Sequence, residues 1–127
     1  MTLGLALAVA LGGFVGAPAR YLLDRAISGR LESDLPWGTF IVNMSGSLLL
    51  GILTGLGLNG HLGPVPEALA ATGFCGAYTT FSTFTVETMR LVEEGDYLEA
   101  AYNSVGSMTV GLIAAAAGLA LGLGLAF

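Results

Sequence analysis

After Glu99 the chain runs to Phe127 without one charged side chain, and the stretch from Pro36 to Leu58 is equally free of charge. These two stretches constrain the fold more than anything else in the sequence. A hydrocarbon core about 30 Å thick is crossed by roughly 20 apolar residues in a helix, and both stretches reach that length. Only 10% of the 127 residues are charged and 54% are hydrophobic, whereas a soluble domain carries about a quarter of its residues as charges. A chain this short buries a poor fraction of its surface in water. The expectation is an all-α integral membrane protein, with residues 1–127 forming one domain.

Four spans are predicted, at about 3–27, 36–58, 66–92 and 96–127. The first is interrupted by Arg20, and the uncharged part of the third ends before Glu87. Ser28 to Leu35 is polar and leads into Pro36, which suits a first helical turn. Asn59-Gly60-His61-Leu62-Gly63-Pro64 is a turn cluster. Glu93-Glu94-Gly95-Asp96 breaks the chain, with Asp96 placed to cap the fourth helix. The N-terminus is apolar from Met1 onward and lacks a basic leader, so it reads as a retained first helix. Four spans put both ends on one side. Arg25, Arg30 and Arg90 then share the other, a weak positive-inside signal that places the termini outside. No repeat of about 20 to 50 residues is visible.

The formal net charge is −5, with four arginines and no lysine. That excludes a nucleic-acid partner, which needs basic patches, and a polybasic surface anchor. The single cysteine, Cys75, makes no disulfide within the chain and reads as a small buried apolar residue. His61 reads as a solvated loop residue. The sequence has no metal-ligand spacing, no phosphate-binding loop and no nucleophile–base pair, so it does not read as an enzyme.

Twenty glycines are unusual. Gly12 and Gly16, Gly51 and Gly55, and Gly118 and Gly122 are each four apart, the spacing that lets helix backbones approach closely in lipid. Such faces serve packing within a subunit or contact between subunits.

Polar side chains inside spans are costly and are candidate functional residues. Thr39, Asn43 and Ser47 form one stripe of the second span, and the Asn43 amide donates without carrying charge. Asn103, Ser107 and Gly111 form a second stripe, with Tyr102 and Ser104 beside it. Both stripes serve either as a pathway or as interhelical hydrogen bonds. The stretch Gly73-Phe74-Cys75-Gly76-Ala77-Tyr78-Thr79-Thr80-Phe81-Ser82-Thr83-Phe84-Thr85 is a poor helix core at mid-span. Irregular backbone at membrane depth is tolerated where protein or a cavity covers it, and a broken helix aims free carbonyls and helix ends at ions. Phe81 and Phe84 share a face. Ring edges are positive, so a small anion can approach them while Ser and Thr hydroxyls donate. Arg20 either draws anions into a vestibule or snorkels to the interface. Glu87 reads as a structural acceptor near the interface.

Together these residues resemble the Fluc (CrcB) family of fluoride channels. The likeness lies in Gly12 to Tyr21, in Pro36-Trp37-Gly38-Thr39-Phe40-Ile41-Val42-Asn43 with Gly46, in Gly73 to Phe84 with Glu87, and in Asn103 to Gly111. Thr79-Thr80-Phe81-Ser82-Thr83-Phe84 is its most specific block. The resemblance implies four-helix subunits, the third helix broken mid-membrane, paired as an antiparallel dual-topology dimer with two pores in the cell (plasma or inner) membrane. It implies passive, selective export of fluoride, which enters cells in acid as HF and is trapped as the anion. Carried over, Phe81 and Phe84 face the ion, Asn43 donates to it, and Ser82, Thr83 and Ser107 line a polar track with Asn103 nearby. A structural sodium ion at the dimer centre is held by the backbone carbonyls of Gly76 and Thr79. Two departures stand out: Tyr102 neighbours Asn103, at a position where the family often has a tyrosine, and Gly111 takes the place of a hydroxyl further along the track. The arginine bias also keeps a pair of oppositely oriented paralogues open beside the homodimer.

Two other readings compete. A small proton-coupled multidrug exporter needs a carboxylate at mid-membrane, but Asp24 and Glu87 both fall toward span ends. A non-conducting membrane assembly subunit would use the polar stripes only as glue.

Overall fold

The computed structural model describes residues 2–30 and 35–125. The regular elements among them are all helical: α1 (Leu3–Ser28), α2 (Trp37–Leu58), α3 (Pro64–Glu67), π1 (Ala68–Cys75), α4 (Gly76–Tyr78), α5 (Ser82–Glu93), α6 (Tyr97–Ala101), π2 (Tyr102–Gly106) and α7 (Ser107–Leu125). The π segments are wider turns within otherwise continuous helix. Among the described residues three helices are long and apolar enough to cross a membrane: α1, α2 and the run Tyr97–Gly124. The remaining apolar segment, 64–93, is divided. It leaves helical geometry at Thr79, which is extended at φ −80° and ψ 160°, and becomes helical again at Ser82.

Local chemistry sets the boundaries. The Thr2 hydroxyl accepts the Leu5 N–H at 3.2 Å, capping α1. α1 ends at Ser28, one residue beyond the expected Ile27. Of the polar joint that follows, residues 31–34 lie outside the described residues, as do Met1 and the expected end of the fourth span at 126–127. The third segment starts at Pro64, not Pro66: Pro64 opens α3 behind Gly63 because its missing N–H costs nothing in a first turn. Asp96 occupies the cap position of α6, but its carboxylate makes no capping bond. Its backbone carbonyl instead accepts the Ala100 N–H at 2.9 Å. Gly60 and Gly95 take φ values of 75° and 81°, the left-handed geometry that ends α2 and α5 and that glycine adopts without strain.

The glycine spacings resolve into contacts within the subunit. A methyl added at Gly12 would overlap the Leu69 carbonyl oxygen, and one at Gly16 the Phe74 carbonyl oxygen. α1 is thereby set backbone-to-backbone against π1. The second glycine face works reciprocally. Methyls at Gly51 and Gly118 would overlap the carbonyls of Ala115 and Leu48, and Gly55 meets Leu119 while Gly122 meets Ile52. α2 and α7 are fused along this line. Asn59 extends the seam, its Nδ2 donating to the Leu123 carbonyl at 3.2 Å.

Little of the apolar side-chain mass is inside the subunit. Val42 and Cys75 are the largest fully buried side chains, while Leu3, Phe14 and Phe81 are 78%, 79% and 78% exposed. Surface of this kind belongs in lipid or against another chain. Polar contacts tie the helices where they meet: the Tyr78 and Ser45 hydroxyls share a 2.8 Å hydrogen bond between α4 and α2. Tyr78→Phe removes it, and interhelical bonds in lipid are worth about 0.6–1.7 kcal/mol. The expected result is a melting temperature lower by a few degrees with the helical signal unchanged; an unshifted melt would mean that this bond contributes nothing.

A candidate ion pathway at the break in the third segment

The backbone between α4 and α5 is held by one side chain from α2. Asn43 Nδ2 donates to the Thr80 carbonyl at 2.9 Å, and the Thr80 N–H donates back to Asn43 Oδ1 at 2.8 Å. The side-chain amide thus pairs with a residue that lacks helical neighbours, the substitution that an apolar surrounding demands. Thr80 also braces the helix restart: its hydroxyl accepts the Thr83 N–H at 3.2 Å, pairing a first-turn donor of α5 that has no partner within the helix, while Phe81 holds the cap position itself. The Thr79 N–H and hydroxyl both donate to the Cys75 carbonyl, at 3.0 and 2.9 Å.

This arrangement strips two carbonyls of their ordinary partners. In an unbroken helix Gly76 C=O would accept from Thr80 N–H, and Thr79 C=O from Thr83 N–H. Both donors are committed elsewhere. A methyl at Gly76 would meet no atom within 4 Å, so that position opens outward from the subunit.

In front of the break lies an open groove of about 490 Å³, whose lining includes Asn43, Ser47, Thr80, Phe81, Phe84 and Ser107. The Phe81 and Phe84 ring centroids are 6.1 Å apart with planes tilted by 44°. Ser107 is buried, and its hydroxyl has no hydrogen-bond partner among the described residues. Met44, Met108 and Gly111 complete the α2–α7 side. The groove therefore combines an amide, hydroxyls and ring edges on an apolar wall.

The other predicted residues are distributed around it. Thr79 lines the groove, while Ser82 and Thr83 line a separate cavity of about 320 Å³ with Glu87 and Arg90. Thr83 also faces a cavity of about 180 Å³ shared with Arg20, Asp24, Thr39 and Thr80. There Arg20 Nε is buried without a partner among the described residues. Thr39 is 3% exposed and lies beside the Glu87 carboxylate, whose Oε1 is unpaired among the described residues. Asn103 donates to the Thr88 hydroxyl at 2.7 Å and borders a cavity of about 240 Å³ with Trp37, Phe40 and Tyr102. The structure thus gathers Asn43, Phe81, Phe84 and Ser107, and sets Thr39, Ser82, Thr83 and Asn103 in neighbouring cavities. Sequence reasoning passed over Thr80 as an individual residue. Its signal was a threonine three residues before Thr83, at a helix restart.

Residues 7–119 match the family model described as "CrcB-like protein, Camphor Resistance (CrcB)". The chain belongs to the CrcB family. CrcB relatives cover almost all of it. One, from Streptomyces avermitilis, is named fluoride-specific ion channel FluC 1 and is 49% identical over 113 residues, spanning 89% of this chain and 91% of the relative. A second protein of that name, from Nocardia farcinica, is 52% identical over 113 residues, 87% of this chain and 77% of its own. Fluoride-specific ion channel FluC 2 of Natronomonas pharaonis is 46% identical over 125 residues, 98% and 100% of the two chains. With three apolar helices of spanning length, this CrcB chain is a multi-pass membrane protein, and its family is one of ion channels rather than enzymes.

Proposed function

We propose that this chain is a fluoride-selective channel that lets fluoride leave the cytoplasm passively and so lowers its toxicity. The observation that carries the reading is the groove at the break, which sets Asn43, Phe81, Phe84 and Ser107 around one space without an ionisable side chain. A fluoride ion entering it exchanges water for the Asn43 amide, the Ser107 hydroxyl and the two ring edges. Such contacts replace hydration yet hold weakly enough for release. The names borne by the CrcB relatives support the choice of ion.

The groove is open, and Phe81 is 78% exposed in the single subunit. An ion cannot pass along a wall that faces lipid, because its desolvation is uncompensated there. The pathway is closed by a second copy in antiparallel orientation, each subunit having four spans with the third broken mid-membrane. Ser82, Thr83, Asn103 and Thr39 border adjoining cavities, from which they serve the ends of the path, with Arg20 and Glu87 at a vestibule. Gly76 and Thr79 fit a structural sodium ion at the dimer centre. A hard cation takes carbonyl oxygens, and these two carbonyls have lost their helical donors. Bound there, sodium would supply fixed positive charge between the subunits.

A proton-coupled exporter needs a carboxylate in its pathway, and the groove presents none among the described residues. A glue-only subunit leaves the Ser107 hydroxyl, unpaired among the described residues, without a purpose. The deciding experiment is efflux from liposomes containing the purified protein, followed with fluoride and chloride electrodes. Rapid fluoride release with chloride retained, independent of a proton gradient, is expected. Silence from folded, reconstituted protein would reject the channel, and flux requiring a proton gradient would reinstate the exporter.

A further inference from the structure

We propose that Thr80 is a positioning residue through which the ion path and the cation site constrain each other. This rests on the channel reading above, with sodium at Gly76 and Thr79.

Both carbonyls owe their availability to Thr80, by two different groups of the same residue. The Thr80 backbone N–H, which would otherwise return to Gly76 C=O, is held by Asn43 Oδ1 at 2.8 Å. The Thr80 hydroxyl captures the Thr83 N–H at 3.2 Å, which would otherwise return to Thr79 C=O. The same residue is fixed from the pathway side, because Asn43 Nδ2 donates to its carbonyl at 2.9 Å. Asn43 has one remaining amide hydrogen for an ion, and its direction is set by the two bonds to Thr80. A change in the Asn43 amide therefore moves the Thr80 N–H, and with it the demand on the Gly76 carbonyl. Conversely, a cation that holds the two carbonyls opposes closure of the helix across the break and keeps Thr80 where Asn43 can meet it. Linkage makes the coupling equal in both directions.

Two consequences follow that a merely structural threonine would not produce. Removing the hydroxyl alone frees the Thr83 N–H for Thr79 and weakens cation binding, although no cation ligand has changed. Removing Asn43 Oδ1 does the same at Gly76, from a residue that does not ligate the cation. Serine at position 80 keeps the oxygen that accepts the Thr83 N–H and restores binding.

The test uses purified protein in detergent, melted across a sodium series with N-methylglucamine as the replacement cation. Wild type should melt at higher temperature as sodium rises. In Thr80→Val the sodium midpoint should move upward on the order of tenfold, the effect of about one lost contact of hydrogen-bond strength. Thr80→Ser should stay within about threefold of wild type on the same scale. Asn43→Leu, similar in shape but without the oxygen, should shift in the same direction as Thr80→Val and supplies the result if the valine variant does not fold. An unchanged midpoint in either folded variant overturns the proposal, as does a wild type whose melting is indifferent to sodium. Fluoride efflux on the same preparations separates the two readings. A sodium-indifferent wild type that conducts fluoride refutes the coupling and leaves the channel standing. A wild type with the sodium shift and no fluoride flux refutes the channel instead.

Discussion

Replacing Phe81 with isoleucine is expected to cut fluoride flux by about thirtyfold or more while leaving the subunit folded. The ring is 78% exposed, so its loss opens no cavity in the subunit and removes little packing. What it removes is the positive ring edge beside the Asn43 amide, 6.1 Å from the Phe84 centroid. A cation over a ring face gains about 2 kcal/mol once both are out of water; an anion at the oppositely charged edge is taken to gain the same order, and each 1.36 kcal/mol on a barrier is about tenfold in rate. Isoleucine fills similar space with a surface that has no quadrupole. The measurement is initial fluoride efflux per reconstituted protein, with a gel-filtration profile to confirm folding. A folded variant conducting at the wild-type rate would remove Phe81 from the pathway. Phe84→Ile should lower flux comparably but also stability, because Phe84 is half-buried.

Gly118→Val should abolish the folded protein. Its first added carbon would overlap the Leu48 carbonyl oxygen and come within 3.0 Å of the Ile52 nitrogen and 3.1 Å of the Gly51 Cα. These are backbone atoms, which cannot swing aside as a side chain would. Overpacking of ordinary cores costs about 1–3 kcal/mol. Here the obstruction is the partner helix itself, so the cost exceeds that range and takes most of a total stability of order 5–15 kcal/mol. The expected outcome is aggregated or degraded protein, read as loss of the monodisperse peak after extraction. Gly124→Ala, where an added methyl meets nothing within 4 Å, should be neutral. A monodisperse, conducting Gly118→Val would mean that α2 and α7 can separate, contrary to the backbone-to-backbone seam at Gly51, Gly55, Gly118 and Gly122.

The helices were legible in the sequence because uncharged length is a one-dimensional property, and the poor helix core around Gly76 to Ser82 was legible from residue type. The sites at the break were less so. Thr39, Asn43 and Ser47 share a stripe of α2, yet each stands at a different depth and meets a different neighbour. Thr39 meets Glu87, Asn43 clasps Thr80, and Ser47 faces the open groove. Asn103 and Ser107 part company in the same way, one bonded to Thr88 and the other unpaired among the described residues. Periodicity gives the side of a helix but not what lies opposite at each level. The Asn43–Thr80 pair spans 37 positions, and neither residue carries a local sign of the other. The glycine spacings marked close approach, but only the fold pairs 51 and 55 with 118 and 122 rather than with another subunit.

The lining of the groove has one more consequence. Amide, hydroxyl, thioether and aromatic ring do not gain or lose protons between mildly acid and mildly alkaline conditions, and these are the polar groups around Phe81 and Phe84. On the proposed reading, this stretch of the conduit keeps a constant electrical character as the surroundings acidify. Acid alters how much of the halide exists as the free anion and how much as its neutral conjugate acid. On that reading the rate of relief follows the chemistry of the poison, with no titrating group among the described residues that line the groove.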